Sequence, residues 1–192
     1  VDLRILAFDP GIGKMGIAVL DVTLEPFRVV EVYRETTNGA KLARTRKALR
    51  GLFQDSYCTL DALEERMDEL FETYAPDVAV SEGAFSYTIA AAVISLTLVI
   101  GQIRRKSHKY LNQDVKILAP CQTKLATFGH GHATKDQMEQ WYNTAPYLVK
   151  LPGAASEHEI DAVAHGVAYL MRDVLRLYQD VTPKKKKKKG KR

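Results

Sequence analysis

The sequence has few cysteines and no long apolar run. Cys58 and Cys121 are its two cysteines and have no C-x-x-C spacing, which argues against a disulfide framework and a cysteine-ligated zinc site. The longest apolar stretch, 89–103, falls short of the roughly 20 residues that a membrane-spanning helix needs. The basic-then-apolar pattern of a secretory signal is also missing. We therefore expect an intracellular protein, cytoplasmic in a bacterium or phage host, or nuclear or organellar elsewhere.

The chain has no net positive charge outside its last ten residues. The 192-residue chain has a net charge of +5, but residues 183–192 hold eight lysines and arginines and no acid. Without them, 20 basic residues face 23 acidic residues, a net charge of −3. We expect residues 1–180 to form one folded domain and residues 181–192 a disordered polybasic tail. Such a tail suits sequence-independent attraction to phosphates, or a nuclear-localisation signal.

Two further groups of basic residues lie within the body of the chain, in 41–50 and 104–109. A solvated helix face is the commoner explanation for any single group. Two groups together with the tail favour a polyanionic partner. We take Arg104 and Arg105 as candidate nucleic-acid contacts.

Strands are expected early in the chain and alternating helices and strands later. Short connections make the first three strands antiparallel neighbours, namely Arg4–Phe8, Met15–Asp21 and Phe27–Tyr33. Further strands are expected at 77–81 and 115–118, and helices at 60–74, 89–106, 120–128, from Thr134, and at 157–178. This order predicts an α/β domain with a mixed five-stranded sheet flanked by helices.

A carboxylate ends the first of these strands. Asp9 follows the apolar run Ile5–Phe8 and precedes Pro10 and Gly11. It has one interpretation as a turn cap, because Asp-Pro and Pro-Gly are common turn dipeptides. It has another as a ligand of a hard divalent cation, which takes oxygen ligands on rigid elements. This segment alone leaves both interpretations open.

Three more residues extend the cation hypothesis. Glu82 ends a buried strand in the same way as Asp9, and His158 and Asp161 lie one turn apart on a helix that starts with a capping-box pattern. Apolar residues surround Asp161, where a carboxylate without a partner is costly. His165 shares this helix face, but we interpret it as a core residue with satisfied hydrogen bonds. Such a cluster can hold two Mg²⁺ about 4 Å apart, one activating water and one stabilising the leaving 3′ oxygen of a phosphodiester.

In the order of its motifs the chain resembles the RuvC family of Holliday-junction resolvases, within the ribonuclease H-like superfamily. The matching stretches are ILAFDPGIGKMGIAVLD from Ile5, VAVSEGAF from Val78, PCQTKLATFGHGHATKDQ from Pro120 and HEIDAVAHG from His158. The resemblance implies a ribonuclease H-like nuclease domain. It also implies a homodimer that cuts four-way DNA junctions with paired symmetric nicks in recombination and repair. The apolar stretch 89–103 fits a subunit-facing helix and a buried core helix equally well.

The resemblance also implies roles for single residues. It aligns four of them with the family's metal-binding catalytic set: Asp9, Glu82, His158 and Asp161. Lys124 and Lys135 would contact the scissile-strand phosphate, and Phe85 would stack on bases at the opened junction centre. Two Mg²⁺ per site are implied, with Mn²⁺ able to substitute. Some members carry Asp where this chain has His158. Because imidazole is a softer ligand than carboxylate, we expect Mn²⁺ to support activity at least as well as Mg²⁺.

Three other functions fit parts of the sequence. A related ribonuclease H-like nuclease acting on other branched DNA or on RNA–DNA hybrids would share the metal cluster. A non-catalytic junction-binding protein is disfavoured, because a pure binder gains nothing from carboxylates beside phosphate. A sugar-kinase-like phosphotransferase opens with a similar strand turn, but needs two such domains.

Overall fold

A mixed sheet forms the centre of the protein. The computed structural model describes residues 1–44, 55–84 and 90–176. Its strands are β1 (Leu3–Asp9), β2 (Lys14–Leu24), β3 (Phe27–Asn38), β4 (Val78–Glu82), β5 (Lys116–Leu118) and β6 (Leu148–Val149). They form one six-stranded sheet in the order β5-β4-β1-β2-β3-β6 within the described part. The β1–β2 and β2–β3 pairs are antiparallel, whereas β1–β4, β4–β5 and β3–β6 are parallel.

The expected α/β class and the three antiparallel opening strands are confirmed. The sheet has one strand more than the five expected, because β6 pairs with β3 through only two residues. A strand of this length is too short to show a period of two, so sequence periodicity does not reveal it. β3 also runs to Asn38, into a stretch whose polar composition gave no strand signal.

The helices are α1 (Gly39–Arg44), α2 (Asp55–Tyr74), α3 (Ala90–Leu111), α4 (Pro120–Phe128), α5 (Lys135–Thr144) and α6 (Glu157–Tyr169), and a π-helical segment (Leu170–Val174) follows α6. Both expected capping boxes are present: the Thr134 and Ser156 side chains accept hydrogen bonds from backbone N–H groups three residues on. None of the helices in the described part of the chain combines the length and apolar character needed to cross a bilayer. The polybasic tail and Phe85 lie outside the described residues.

The strands divide the core into two layers by their period of two. On β1, Ile5 and Ala7 pack into the layer that holds α4, α5 and α6, whereas Leu6 and Phe8 pack into the layer that holds α2 and α3. β4 follows the same rule, with Val78 and Val80 on the α6 side. The last residue of β1 and the last residue of β4 therefore also face the α6 side of the sheet.

Two glycines let α6 lie unusually close to the sheet. A Cβ on Gly16 of β2 would come 1.9 Å from the carbonyl oxygen of His158, and a Cβ on Gly166 would come 2.6 Å from Leu20 Cδ1. Any side chain at position 16 would push the first turn of α6 away from β2. Because Gly16 pairs with Asp9 across the sheet, this contact also sets the distance between α6 and the end of β1.

The segment before α6 is fixed by an arginine from β3. The Arg34 guanidinium donates hydrogen bonds to the carbonyls of Leu151, Pro152 and Gly153. It also pairs with Glu31 at 2.8 Å and with Glu159 at 3.3 Å. A planar group with five fixed donors suits this many acceptors. The start of α6 is thereby held from both sides, by Gly16 beneath it and by Arg34 before it.

Candidate active site

Two carboxylates end neighbouring parallel strands. Asp9 is the last residue of β1 and Glu82 the last of β4, one step beyond the paired residues Phe8 and Ser81. Strand alternation turns both side chains towards α6, since each comes two residues after a side chain packed in that layer. Parallel strands end at the same edge of a sheet, so the two carboxylates lie together there.

Helix α6 brings three more polar side chains to this edge. His158, Asp161 and His165 are spaced three and four residues apart and so share one helix face. The Nδ1 atom of His158 lies 2.7 Å from Asp9 Oδ2, and the Nε2 atom of His165 lies 3.3 Å from Glu82 Oε2. One ligand atom each from Asp9, Glu82 and His165 fall within 4.8 Å of one another. The structure thus brings together the four residues expected from sequence and adds His165.

Without a bound cation, ionising the carboxylates of this cluster is unfavourable. Burial, followed by the charges of Asp9 and Glu82, raises the pKa of Asp161 to about 6. Burial also raises the pKa of Asp9, and the hydrogen bond with His158 offsets part of that rise. Carboxylates that resist ionisation in one small space are suited to a divalent cation, which supplies the missing positive charge. Oxygen donors with adjacent imidazole nitrogens could hold a divalent cation.

A cleft of about 350 Å³ opens beside Asp161. Lys124 and Lys135, for which the family resemblance implies phosphate contact, line it together with Glu157. The Lys135 ammonium is paired with the Glu157 carboxylate. The hydrogen bond between Lys135 and Glu157 is the main cause of the raised pKa of Lys135, and the charges of Asp161 and Asp9 also raise it. The lysine is therefore within electrostatic reach of the cluster.

The other expected DNA contacts are not brought to this cleft. Arg104 and Arg105 lie on α3, on the opposite face of the sheet, and they pair with Asp114 at 2.9 Å and Glu64 at 3.4 Å. Their contact with DNA stays a prediction and concerns a surface other than the cleft. Phe85 lies outside the described residues, and so does most of the basic group at 41–50.

Sequence reasoning missed two residues of the site. His165 is buried, as expected of a core residue, but its Nε2 atom has no hydrogen-bond partner and lies beside Glu82. The available signal was its spacing of four residues from Asp161. Gly16 was missed because its close contact with His158 joins segments far apart in the sequence.

Comparison with known proteins finds similarity to RuvC enzymes. No family model matches the chain. RuvC crossover junction endodeoxyribonuclease from Dictyoglomus thermophilum is 26% identical over 168 residues, which cover 88% of this chain and 96% of that protein. The enzyme of the same name from Methylobacillus flagellatus is 27% identical over 169 residues, 86% of each chain. The chain is therefore similar in sequence to RuvC enzymes over most of its length.

Solved structures agree on the fold. Thermus thermophilus RuvC in complex with a Holliday junction substrate superposes with a TM-score of 0.72 at 19% identity, covering 92% of this chain and 96% of that one. The yeast mitochondrial Holliday junction resolvase gives a TM-score of 0.61 at 11% identity, covering 92% and 82%. The protein has the RuvC fold, and its carboxylate cluster lies at the carboxyl ends of the paired strands β1 and β4.

Asp161→Asn is expected to stabilise the metal-free protein at neutral pH. The folded protein raises the pKa of Asp161 to about 6 from an ordinary 3.8, so ionisation of this group opposes folding. The penalty is absent below the ordinary pKa and grows to its full size as pH rises through the raised one. With a chelator present, we expect the variant to unfold on the order of 5 °C above wild type at pH 7.5. That gap should close towards pH 4.

Asp136→Asn is a matched control, because it removes an exposed carboxylate from the first turn of α5. It should show no such gain, since a negative charge there favours the helix. Equal unfolding temperatures of Asp161→Asn and wild type across this pH range would show that Asp161 carries no ionisation penalty.

Proposed function

We propose that the protein is a divalent-cation-dependent endonuclease that resolves four-way DNA junctions by paired symmetric nicks. The cluster of Asp9, Glu82, His158 and Asp161 at one edge of a RuvC-type sheet carries the proposal. Curated relatives across 88% of the chain are named crossover junction endodeoxyribonucleases, and one similar structure holds a Holliday junction. A protein that only binds DNA would be weakened by carboxylates next to phosphate, whereas hydrolysis with bound cations requires them.

The donor set supports two divalent cations per site, Mg²⁺ or Mn²⁺. Bound cations would supply an activated water and charge stabilisation for the leaving 3′ oxygen. Asp9 lies between the β4 carboxylate and the first turn of α6, in contact with His158 and grouped with Glu82. Asp9 would therefore be the central donor of the set, with Glu82, His158 and Asp161 as the other residues that would hold the cations.

The lysines of the cleft would hold the scissile phosphate. Lys135 is the first residue of α5, a ten-residue helix whose free N–H groups and dipole favour an anion. Its pair with Glu157 is exposed, with 77% and 49% of the side chains accessible. Such a pair contributes little to stability and exchanges readily for a phosphate. Lys124 lines the same cleft from α4, so both lysines would lie near a phosphate held beside Asp161.

Paired nicks require two sites, and we place the second subunit against α2 and α3. Tyr57, Ile94 and Leu98 are apolar side chains with 57%, 62% and 47% of their surface exposed. A groove of about 520 Å³ between the two helices is lined by Tyr57, Leu98 and Gln102. Within the described residues, the buried Oε1 atom of Gln102 has no hydrogen-bond partner. Val99 of the stretch 89–103 is in the core, whereas Ile94 and Leu98 are exposed, so we assign the exposed side of α3 to the subunit interface.

Asp161→Asn and Asp9→Asn are expected to abolish junction cutting without abolishing junction binding. Each change removes a cation ligand from the cluster, so the cleavage rate should fall on the order of 1,000-fold or more. Binding should persist, because it depends on contacts with phosphates and gains from the loss of negative charge. A synthetic four-way junction, incubated with Mg²⁺ or Mn²⁺, gives the nicking rate and its symmetry, and gel-shift titration gives the affinity.

Glu139→Gln is the matched control, since Glu139 is an exposed acid that lines the same cleft outside the cluster. It should cut within a few-fold of wild type. Near wild-type cutting by Asp161→Asn would overturn the assignment. Faster cutting of flaps or RNA–DNA hybrids than of four-way junctions would assign the site to another ribonuclease H-like nuclease.

Mn²⁺ is expected to support cleavage at least as well as Mg²⁺. The cluster offers an imidazole, His158, in contact with Asp9, and a nitrogen donor favours Mn²⁺ relative to Mg²⁺, which prefers oxygen alone. Parallel titrations of the two metals in the junction-cleavage assay measure the preference. A clear advantage of Mg²⁺ would count against His158 as a ligand, and His158→Asp should move the preference towards Mg²⁺.

Leu98→Glu is expected to convert the protein to a monomer and to uncouple the two nicks. Leu98 lines the groove between α2 and α3, and a charge buried there in a subunit interface would be costly without a partner. Sedimentation velocity measures the subunit number, and a cruciform plasmid separates paired from single nicks. Ile117→Glu is the control, because Ile117 is an apolar side chain on β5 with 39% exposure, away from this groove. If the Leu98→Glu variant remained a dimer, the subunit interface would have to lie on another surface.

A further inference from the structure

His165 is the least expected member of the cluster. Only 2% of its surface is exposed, and its neighbours on α6 are apolar core residues. Nevertheless its Nε2 atom is buried with no hydrogen-bond partner in the described part of the chain. A buried polar atom without a partner opposes folding, so its presence beside the carboxylates requires a physical reason.

The direction of the Nε2 atom supplies the first part of that reason. It lies 3.3 Å from Glu82 Oε2, but the geometry is not that of a hydrogen bond between them. Ligand atoms of His165, Glu82 and Asp9 lie within 4.8 Å of one another. Donors bound to one cation at about 2.0–2.3 Å have separations of this size. The imidazole is therefore directed towards a point that it shares with the two strand-end carboxylates.

The other ring nitrogen supplies the second part. His165 Nδ1 lies 2.9 Å from Thr123 Oγ1 on α4, in a buried contact. Histidines that bind metals usually donate their second ring N–H to an outer oxygen, which fixes the ring and its tautomer. With the proton on Nδ1 and the threonine hydroxyl accepting it, the lone pair of Nε2 faces the carboxylates.

We infer that Nε2 of His165 is a ligand of the divalent cation that Asp9 and Glu82 hold, with Thr123 as the residue that orients the ring. The inference rests on the proposed function for the presence of a cation. His158 lies in the first turn of α6 and is 34% exposed, whereas His165 lies two turns deeper. The two histidines would thus serve opposite sides of Asp9, and the inner cation position would have a mixed nitrogen and oxygen ligand set.

An isosteric pair of variants separates a ligand from a core residue. His165→Asn keeps an amide near the position of Nδ1, where it can still bond Thr123, and removes the atom at Nε2. His165→Gln does the reverse and keeps an amide near Nε2. Mn²⁺ binding to the full-length protein, followed by the EPR signal of free Mn²⁺, reports ligation without reference to cleavage. Thermal unfolding in a chelator reports the structural role.

His165→Asn is expected to weaken Mn²⁺ binding about tenfold or more, and His165→Gln clearly less. In the chelator the two variants should unfold at similar temperatures. Mn²⁺ affinity of His165→Asn equal to that of wild type would overturn the inference. A loss of stability in the chelator, with Mn²⁺ affinity unchanged in both variants, would also overturn it and leave His165 as a core residue.

Pulsed EPR gives a signature that a structural role does not produce. In a His158→Ala background, with histidine labelled with ¹⁵N and Mn²⁺ at saturation, the hyperfine coupling of a directly bound nitrogen should remain. It should vanish when His165→Asn is added. If the His158→Ala variant showed no nitrogen coupling, the inference would be overturned even if the protein with His165→Asn added failed to fold. Failure of the wild type to cut junctions would overturn the proposed function alone, because the nitrogen coupling does not depend on the DNA substrate.

Discussion

The site depends on the close contact between the first turn of α6 and the backbone of β2. The His158 carbonyl occupies the space that a side chain at Gly16 would fill, and Gly16 pairs with Asp9 across the sheet. A helix separated from the sheet by one more methyl group would carry His158 and Asp161 away from the strand ends. Arg34 donates three hydrogen bonds to carbonyls of the preceding segment, which oppose a shift of the helix along its axis.

Apolar packing holds together a cluster that electrostatics would push apart. Ile160, Val163 and Val167 of α6 are buried in the core. Their packing offsets the cost of burying Asp161 beside Asp9 and Glu82, the two effects that raise the pKa of Asp161. The carboxylates therefore keep their positions before a cation arrives. Such preorganisation means that little reorganisation is needed when charge is neutralised there. Lower stability of the metal-free protein is its expected physical cost.

Local signals predicted most of the fold and part of the site. Strands ending in Asp9 and Glu82, and capping boxes at Thr134 and Ser156, depend on residues close in sequence, and these could be read directly. The two-residue strand β6, the Gly16 contact and the position of Thr123 beside His165 depend on segments far apart. Burial of His165 was also anticipated, but burial alone does not say which way an imidazole points.

The proposed function requires one surface to attract DNA and still hold carboxylates, and the charges of the cleft suit both. A polyanion is repelled by Asp9, Glu82 and Asp161 unless positive charge lies nearer to the phosphate. Lys124 and Lys135 line the cleft beside Asp161, and Glu157 compensates Lys135 in the free protein. Under the proposed function, a phosphate would take the place of Glu157, so that Lys135 would exchange one anion for another. Cations held by the carboxylates would lower the remaining repulsion, so binding of DNA and of metal would favour each other.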